Sequence, residues 1–190
     1  MNILAIDTTS TGLSIALVKG DETFSFTKEI GKSGHSATLM PEIDNMLKSH
    51  DLAVGDLDAV AVNVGPGSFT GIRIGVSAMT AIAFATGAKR IAVTSFELIA
   101  HQSGDILAAV DAGHGNLYLA KCTNGKVLST SFYDSHDLTD VSDAVSKPLK
   151  SVDATLAEVV KEKANSNEFV SVFEPFYMRK SQAEREKDEV

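Results

Sequence analysis

The feature that most constrains the fold is a pattern that occurs twice, with Asp7 and Asp111 as equivalent points 104 residues apart. The stretches ILAIDTTSTGLSIALVKG and LAAVDAGHGNLYLAKCTNG each predict an apolar strand that ends in aspartate, a turn of small residues and a second apolar strand. The matching apolar positions of the second strands are Leu13, Ile15 and Ala16 with Leu117, Leu119 and Ala120. Chance similarity of two buried hairpins remains open, but we favour a duplicated lobe.

The segment between the two copies shows strand and helix patterns in turn. NILAID, GLSIALVK and DETFSFTKEI predict three successive strands, and DAVAVNV predicts a buried strand further on. HSATLMPEIDNMLKSH has the apolar spacing of an amphipathic helix, and IRIGVSAMTAIAFATG predicts a second helix that ends at Gly87. The chain thus begins with a strand meander, continues with helix, strand and helix, and then repeats the pattern with which it began. This order predicts two related α/β lobes with mixed sheets.

This order of elements resembles the superfamily of actin, hexokinase and Hsp70, the ASKHA fold. We expect an N-terminal actin-like lobe over residues 1–100 and a shortened, truncated C-terminal lobe over 101–190, because VDATLAEVVKEKANS alone predicts a helix after Lys150. In that superfamily the hairpin turns face a nucleotide between the lobes. The resemblance therefore makes candidate nucleotide contacts of Asp7, Thr8, Thr9, Asp111 and Gly113. The two aspartates either bind magnesium or accept N–H bonds within their turns.

Composition excludes several classes of function. The chain has 25 acidic and 17 basic residues and a formal net charge of -8, so it lacks the basic face with which a protein grips a nucleic acid by itself. The single cysteine, Cys122, excludes an internal disulfide and a multi-cysteine metal site. No signal-peptide pattern and no unbroken apolar run of about 18 residues is found, so we expect a cytoplasmic protein without a membrane partner.

The glycine-rich stretch GPGSFTGIRIG looks at first like a phosphate-binding loop. A P-loop needs a lysine and a hydroxyl after its last glycine, whereas Ile72 and Arg73 follow Gly71. Ser68 has no identifiable catalytic base, although triad partners can meet in the fold. We interpret it either as the N-cap of the helix that follows or as a loop hydroxyl. The loop can present N–H groups to an anion, but it lacks the residues for phosphate chemistry.

His35, at the start of the first predicted helix, raises the question of a metal site. Two histidines spaced by four residues would put two imidazoles on one face of a helix, but Leu39 occupies the second position. We therefore expect no metal site.

The two predicted helices carry more apolar surface than one sheet face needs. Met40, Met46, Met79 and Phe84 are expected in the core, and alanines surround the second helix. A helix that is apolar nearly all round is buried on both sides. We expect another subunit to cover the second side.

Five stretches in this order resemble the TsaB (YeaZ) family: MNILAIDTTSTGLSIALV, HSATLMPEI, GPGSFTGIRIG, VDAGHGNLYLA and EPFYMRKSQA. The resemblance implies a non-catalytic paralogue of TsaD, the subunit that transfers threonylcarbamoyl to N6 of adenosine 37 in tRNAs that read codons starting with A. It implies that the chain pairs with TsaD, works with the ATPase TsaE, contacts tRNA only through the complex, and forms a homodimer when alone. It also implies no cofactor on the chain alone, with ADP or ATP near the junction with TsaD.

In this family, the first two helices form the junction with TsaD. The resemblance thus makes candidate interface residues of His35, Leu39, Met46, Gly67, Ser68, Phe69, Arg73, Ala78, Met79, Ile82 and Ala85.

Two other functions remain as alternatives. A small ASKHA-type kinase or ATPase would need a complete second lobe and a base aspartate. A glycoprotease-like peptidase would need paired histidine ligands or a triad, for which the sequence gives no support.

Overall fold

The computed structural model describes residues 1–30, 34–134, 144, 146–147 and 150–178, and within them the chain forms two sheets and four α-helices. The strands of the first sheet are β1 (Asn2–Asp7), β2 (Gly12–Lys19), β3 (Glu22–Glu29), β4 (Ala59–Asn63) and β5 (Lys89–Val93). Those of the second are β6 (Asp105–Gly113), β7 (Asn116–Thr123) and β8 (Lys126–Tyr133). The helices are α1 (His35–Ser49), α2 (Phe69–Thr86), α3 (Ser95–Ala100) and α4 (Val152–Asn165). All the stretches predicted above form the expected elements, and β5, β8 and α3 are additional.

The first sheet is mixed, as predicted. Its strand order is β3-β2-β1-β4-β5, in which the β1–β2–β3 meander is antiparallel and β4 and β5 run parallel to β1. The second sheet, β6-β7-β8, is antiparallel throughout its described part, so the expectation of a mixed sheet in both lobes is wrong there. A parallel strand needs a crossover connection, and the described residues after β8 add a helix without a further strand of that sheet.

Helices cover both faces of the first sheet, which explains the continuous apolar runs of its inner strands. Side chains of α1 and α2, among them Ile43 and Met79, pack with Leu4 and Ile15 on one face. The other face, with Ile3, packs against α4. At the edge, β3 alternates instead, with half-buried Phe24 and Phe26 between exposed polar residues.

Helix α4 belongs to the first sheet, although it comes late in the chain. Leu156 and Val160 are fully buried against Ala5 and Ala16 of the first sheet. A boundary at residue 100 therefore assigns to the second lobe a helix that completes the core of the first.

Helix α3 lies between the two sheets. Thr94 accepts a hydrogen bond from the Glu97 backbone N–H, and the Glu97 carboxylate accepts one from the Thr94 N–H, so the helix begins with a capping box. Leu98 packs with the first sheet, whereas Phe96 and Ile99 pack with the second. This helix thus joins the two lobes.

Candidate functional site

A cleft of about 1030 Å³ opens between the two sheets. The β1–β2 turn, the loop between β4 and α2, helix α3 and the β6–β7 turn all contribute to its walls. The chain segment at Phe176, Tyr177 and Met178 closes one side. The cleft thus brings together both aspartate turns and the glycine-rich loop, as the resemblance to the actin fold implies.

Asp7 lies at the floor of this cleft and both of its carboxylate oxygens are occupied. Its Oδ1 accepts from the Thr9 N–H at 2.8 Å and from the Thr9 hydroxyl at 2.7 Å. Its Oδ2 accepts from the Asn63 side-chain amide at 2.8 Å. The sequence left open whether Asp7 binds magnesium or accepts hydrogen bonds within its turn. The structure shows the second role, with a further bond from Asn63 of β4.

Asn63, at the end of β4, connects this turn to the glycine-rich loop and to α3. Its amide also donates to the Ser95 hydroxyl at 3.0 Å, while its Oδ1 accepts from the Gly65 N–H at 2.9 Å. The Ser95 hydroxyl donates to the Pro66 carbonyl at 2.7 Å. The four side chains of this network are buried: Asp7, Thr9, Asn63 and Ser95. Their polar groups therefore satisfy one another's hydrogen bonds inside the protein.

The glycine-rich loop uses its N–H groups within the fold. The Ser68 N–H donates to the Thr9 carbonyl at 2.7 Å, and the Ser68 side chain accepts from the Gly71 N–H at 3.2 Å. Of the two roles expected for Ser68, the structure therefore shows the N-cap. The side chain of Thr8 donates to the Gly71 carbonyl at 2.8 Å.

Two glycines of α2 permit this close contact. A Cβ on Gly71 would lie 1.9 Å from the Thr8 carbonyl oxygen, and one on Gly75 would lie 2.5 Å from the Thr8 hydroxyl. The glycine pattern that resembles a phosphate loop thus reflects tight packing of a helix on the β1–β2 turn. Thr8 is fully buried, so its assignment as a nucleotide contact is wrong.

The second aspartate turn has the same local bond in a different setting. The Gly113 N–H donates to Asp111 Oδ1 at 2.7 Å, as Thr9 does to Asp7, but Asp111 is exposed. The register of β6 and β7 at Asp111 also differs by one residue from that of β1 and β2 at Asp7, because a β-bulge lies between Asp111 and Gly113. Asp111 and Gly113 therefore remain at the cleft edge as candidate ligand contacts.

His35 is a structural residue of the core. It is buried, and its Nε2 lies 3.1 Å from the Gly12 carbonyl. Leu39 and Met46, on the same helix, are buried against the sheet as well. These three predicted interface residues face their own chain, so their assignment to a partner interface is wrong. No group of three or more histidine, cysteine, aspartate or glutamate side chains in the described ranges is arranged to hold a metal.

The two sides of α2 differ in burial. Met79 and Ile82 are buried in the core, so they too are wrong as interface residues, whereas Ala85 is exposed and Ala78 is half-buried. Phe84 is 86% exposed. The expectation that Phe84 belongs to the core is wrong because a helix that is apolar all round gives no periodicity to show which side faces inward.

The outward side of α2 carries Arg73, Ser77, Ala81, Phe84 and Ala85, all exposed, and we call it the α2 face. On α1, Met40 is 50% exposed, which also differs from the expected core position. Burying exposed apolar groups of this size against a partner is favourable. The remaining interface candidates stay predictions: Gly67, Ser68, Phe69, Arg73, Ala78 and Ala85.

An aromatic and cationic cluster lies where the α2 face meets the cleft. The Arg73 guanidinium carbon is 3.9 Å from the centre of the Phe69 ring, and the Phe69 and Tyr177 rings contact each other at a tilt of 33° with centroids 4.6 Å apart. The Arg73 Nε donates to the Tyr177 hydroxyl at 3.4 Å. Sequence reasoning missed Tyr177, as it missed Asn63 and Ser95, because each depends on contacts between distant parts of the chain.

Within the described residues, α2 alone has the length and mean hydropathy, 1.3, of a helix that could cross a membrane. Arg73, Ser77 and Thr80 interrupt the helix, so it is not an unbroken apolar run. Its buried side packs in the core beside β4, which accounts for that apolar character.

The fold and the paired turns define a two-lobed α/β protein of the actin, hexokinase and Hsp70 class with a truncated second lobe. The solved structure of YeaZ from Pseudomonas aeruginosa superposes with a TM-score of 0.75 at 22% identity, covering 93% of this chain and 99% of that one.

Sequence comparisons are more specific. The family model for TsaD, tRNA N6-adenosine threonylcarbamoyltransferase, matches residues 29–148. The tRNA threonylcarbamoyladenosine biosynthesis protein TsaB of Haemophilus influenzae is 31% identical over 68% of this chain and 57% of its own length. TsaB of Bacillus subtilis is 38% identical over 62% of this chain and 53% of its own length. The chain belongs to the TsaB/YeaZ group of the TsaD family, and it matches about half the length of these curated relatives.

Proposed function

We propose that the chain is a non-catalytic subunit of the bacterial assembly that adds threonylcarbamoyl to N6 of adenosine 37 in tRNA. It binds and supports the catalytic TsaD-type subunit, works with a TsaE-type ATPase, acts in the cytoplasm, and contacts tRNA only within the complex. Membership of the TsaB/YeaZ group supports the pathway.

The observation that carries the docking role is the exposed apolar side of α2. Phe84 is 86% exposed, and Ala81 and Ala85 lie beside it on the same side of the helix. Exposed aromatic residues surrounded by small ones fit the packed centre of a protein interface. Met40 of α1 adds a second exposed apolar group. In the absence of the partner, the same apolar surface accounts for self-association of the chain as a homodimer.

The cleft supports the non-catalytic part of the proposal. The Asp7 carboxylate accepts three hydrogen bonds from Thr9 and Asn63, so a magnesium ion would have to displace internal bonds. The loop N–H groups of Gly65, Ser68 and Gly71 also have acceptors inside the fold. We infer that the chain alone holds no cofactor and that ADP or ATP, where it takes part, lies at the junction with the partner.

The experiment tests docking and function together. Ala85→Glu introduces a charge on the α2 face, while Ser129→Glu introduces the same charge on exposed β8 as a matched control. A carboxylate buried without a partner costs several kcal/mol, enough to abolish a complex of moderate affinity. We expect Ala85→Glu to lose TsaD-type binding and to fail to restore threonylcarbamoyladenosine in a depleted strain, measured by nucleoside mass spectrometry.

Both variants should show wild-type melting curves, since both positions are exposed. If Ala85→Glu binds the partner and restores the modification as well as Ser129→Glu does, the α2 face is not the docking surface.

A further inference from the structure

Arg73 is an ordered cation without an acidic partner in the described part of the chain. The ion pairs formed by the described residues involve lysines and His101, and none includes Arg73. Phe69 below its guanidinium and the hydroxyl of Tyr177 hold the side chain in place. A guanidinium that is already ordered loses less conformational entropy when it forms a further bond, and its planar fork matches a carboxylate.

The position of Arg73 connects this cation to the apolar docking side. Arg73, Ser77 and Ala81 follow one another at four-residue intervals, and Phe84 comes one turn later on the α2 face. At about 1.5 Å per residue, Arg73 and Phe84 lie about 16 Å apart along the helix. The α2 face therefore presents a cation at its cleft end and an aromatic ring at its other end.

We propose that Arg73 pairs with an aspartate or glutamate of the protein that docks on the α2 face. This inference rests on the proposed docking function and adds the chemistry of the partner's surface. That surface carries an apolar ridge, which packs over Ala81 and Phe84, and a carboxylate about three helical turns away.

The surroundings of Arg73 favour a protein over a nucleic acid. A nucleic-acid backbone requires several cations in a row, but α2 has one basic residue, and the chain has a net charge of -8. A carboxylate needs a single guanidinium, and the small and apolar residues beside it match a protein surface.

A second copy of the chain matches the α2 face less well. Helix α2, FTGIRIGVSAMTAIAFAT, contains no aspartate or glutamate. The acidic residues of α1, Glu42 and Asp44, already pair with Lys28 and Lys48 of their own chain, so a second copy offers Arg73 no unpaired carboxylate from either helix. Charge complementarity thus favours a different protein, and the second copy becomes an outcome of the test.

The test measures binding of the purified TsaD-type partner from the same genome by calorimetry at low and high ionic strength. Arg73→Gln removes the charge and the fork, and Lys126→Gln removes an exposed charge from β8 as the control. We expect Arg73→Gln to weaken binding about 30-fold at low salt, the lower range for truncating one member of a hydrogen-bonded charge pair. We also expect it to reduce the salt dependence of the Kd, whereas Lys126→Gln does neither.

Four outcomes separate the two proposals. If the wild-type chain does not bind the partner, the proposed docking function is wrong, and so is the proposed pairing of Arg73 with a carboxylate. If Arg73→Gln binds like the wild type while Ala85→Glu does not bind, docking stands and the carboxylate pairing is wrong. If Arg73→Gln weakens binding without changing its salt dependence, the contact is not an ion pair. If sedimentation shows that Arg73→Gln disrupts only self-association, the occupant is a second copy and the proposal is overturned.

Discussion

The two aspartate hairpins began as one sequence pattern, but the fold uses them differently. In the first, Asp7 is buried and accepts three hydrogen bonds, and α2 packs directly on the turn at Thr8. In the second, Asp111 is exposed and its Oδ1 accepts a bond from the Gly113 N–H. The first hairpin is a support for the α2 face, while the second remains an open edge of the cleft.

This difference shows that the same local sequence can serve packing in one lobe and remain accessible in the other. Asn63 and Gly71, from distant parts of the chain, determine which use applies at Asp7. The polar groups of the first turn therefore stabilise the fold.

The strongest way to break the comparison is to add a methyl group where α2 meets the first turn. In Gly71→Ala the new Cβ would lie 1.9 Å from the Thr8 carbonyl oxygen, so backbone must move. We expect the free energy of unfolding in urea to fall by about 3 kcal/mol, the upper range for overpacking. Gly113→Ala, in the second hairpin, meets nothing within 4 Å and has only the strain of φ +78°, about 1 kcal/mol.

Equal losses of stability in the two alanine variants would contradict the view that α2 rests on the first turn.

Replacing the two aspartates tests the same contrast through hydrogen bonds. Asp7→Asn places an amide donor opposite the Thr9 and Asn63 donors, which leaves buried groups unpaired and should cost about 2 kcal/mol. Asp111→Asn changes an exposed residue and should stay within about 0.5 kcal/mol of the wild type. Urea unfolding measures both, and a large effect of Asp111→Asn alone would reverse the assigned roles.

Much of this architecture could be predicted because local patterns determine it. Alternation and apolar runs predict the first three strands, and amphipathic spacing predicts α1. The predicted end of α2 at Gly87 is also confirmed, since Gly87 adopts the left-handed conformation with φ +74°. Strands β5 and β8 and helix α3 were missed, although Thr94 and Glu97 in TSFELIA form a capping box that could have indicated the helix.

The site could be predicted only in part, since it depends on long-range contacts. Which side of α2 faces outward could not be read from a helix in which alanines surround the axis, so Phe84 was expected inside and Ile82 outside. The bonds from Asn63 to Asp7 and Ser95 join residues that local patterns treat independently.

A smaller effect concerns the helix that covers the first meander. Asp153 of α4 accepts a bond from the Thr27 hydroxyl at 2.8 Å. Burial alone would raise the pKa of Asp153, but hydrogen bonds from Ser25, Thr27 and Ser151 outweigh it and leave the pKa lowered. Asp153→Ala should therefore cost about 1.5 kcal/mol at neutral pH.

The pH dependence of that cost has a definite sign. A carboxyl whose pKa is lowered by folding contributes stability above its unfolded value, about 3.9, and loses it as the pH falls through the folded value. The difference between wild type and Asp153→Ala in urea unfolding should thus shrink below about pH 4. A difference that grows on acidification would mean that the Asp153 carboxylate does not anchor α4.

The most direct test of the central claim, that α1 and α2 form the docking surface, is hydroxyl-radical footprinting of the chain with and without its TsaD-type partner. Phe84 and Met40 are 86% and 50% exposed, and Leu128 on the second sheet is 68% exposed. We predict that the partner strongly reduces oxidation of Phe84 and Met40 and leaves Leu128 unchanged. Protection of Leu128 with unchanged oxidation of Phe84 and Met40 would contradict the account.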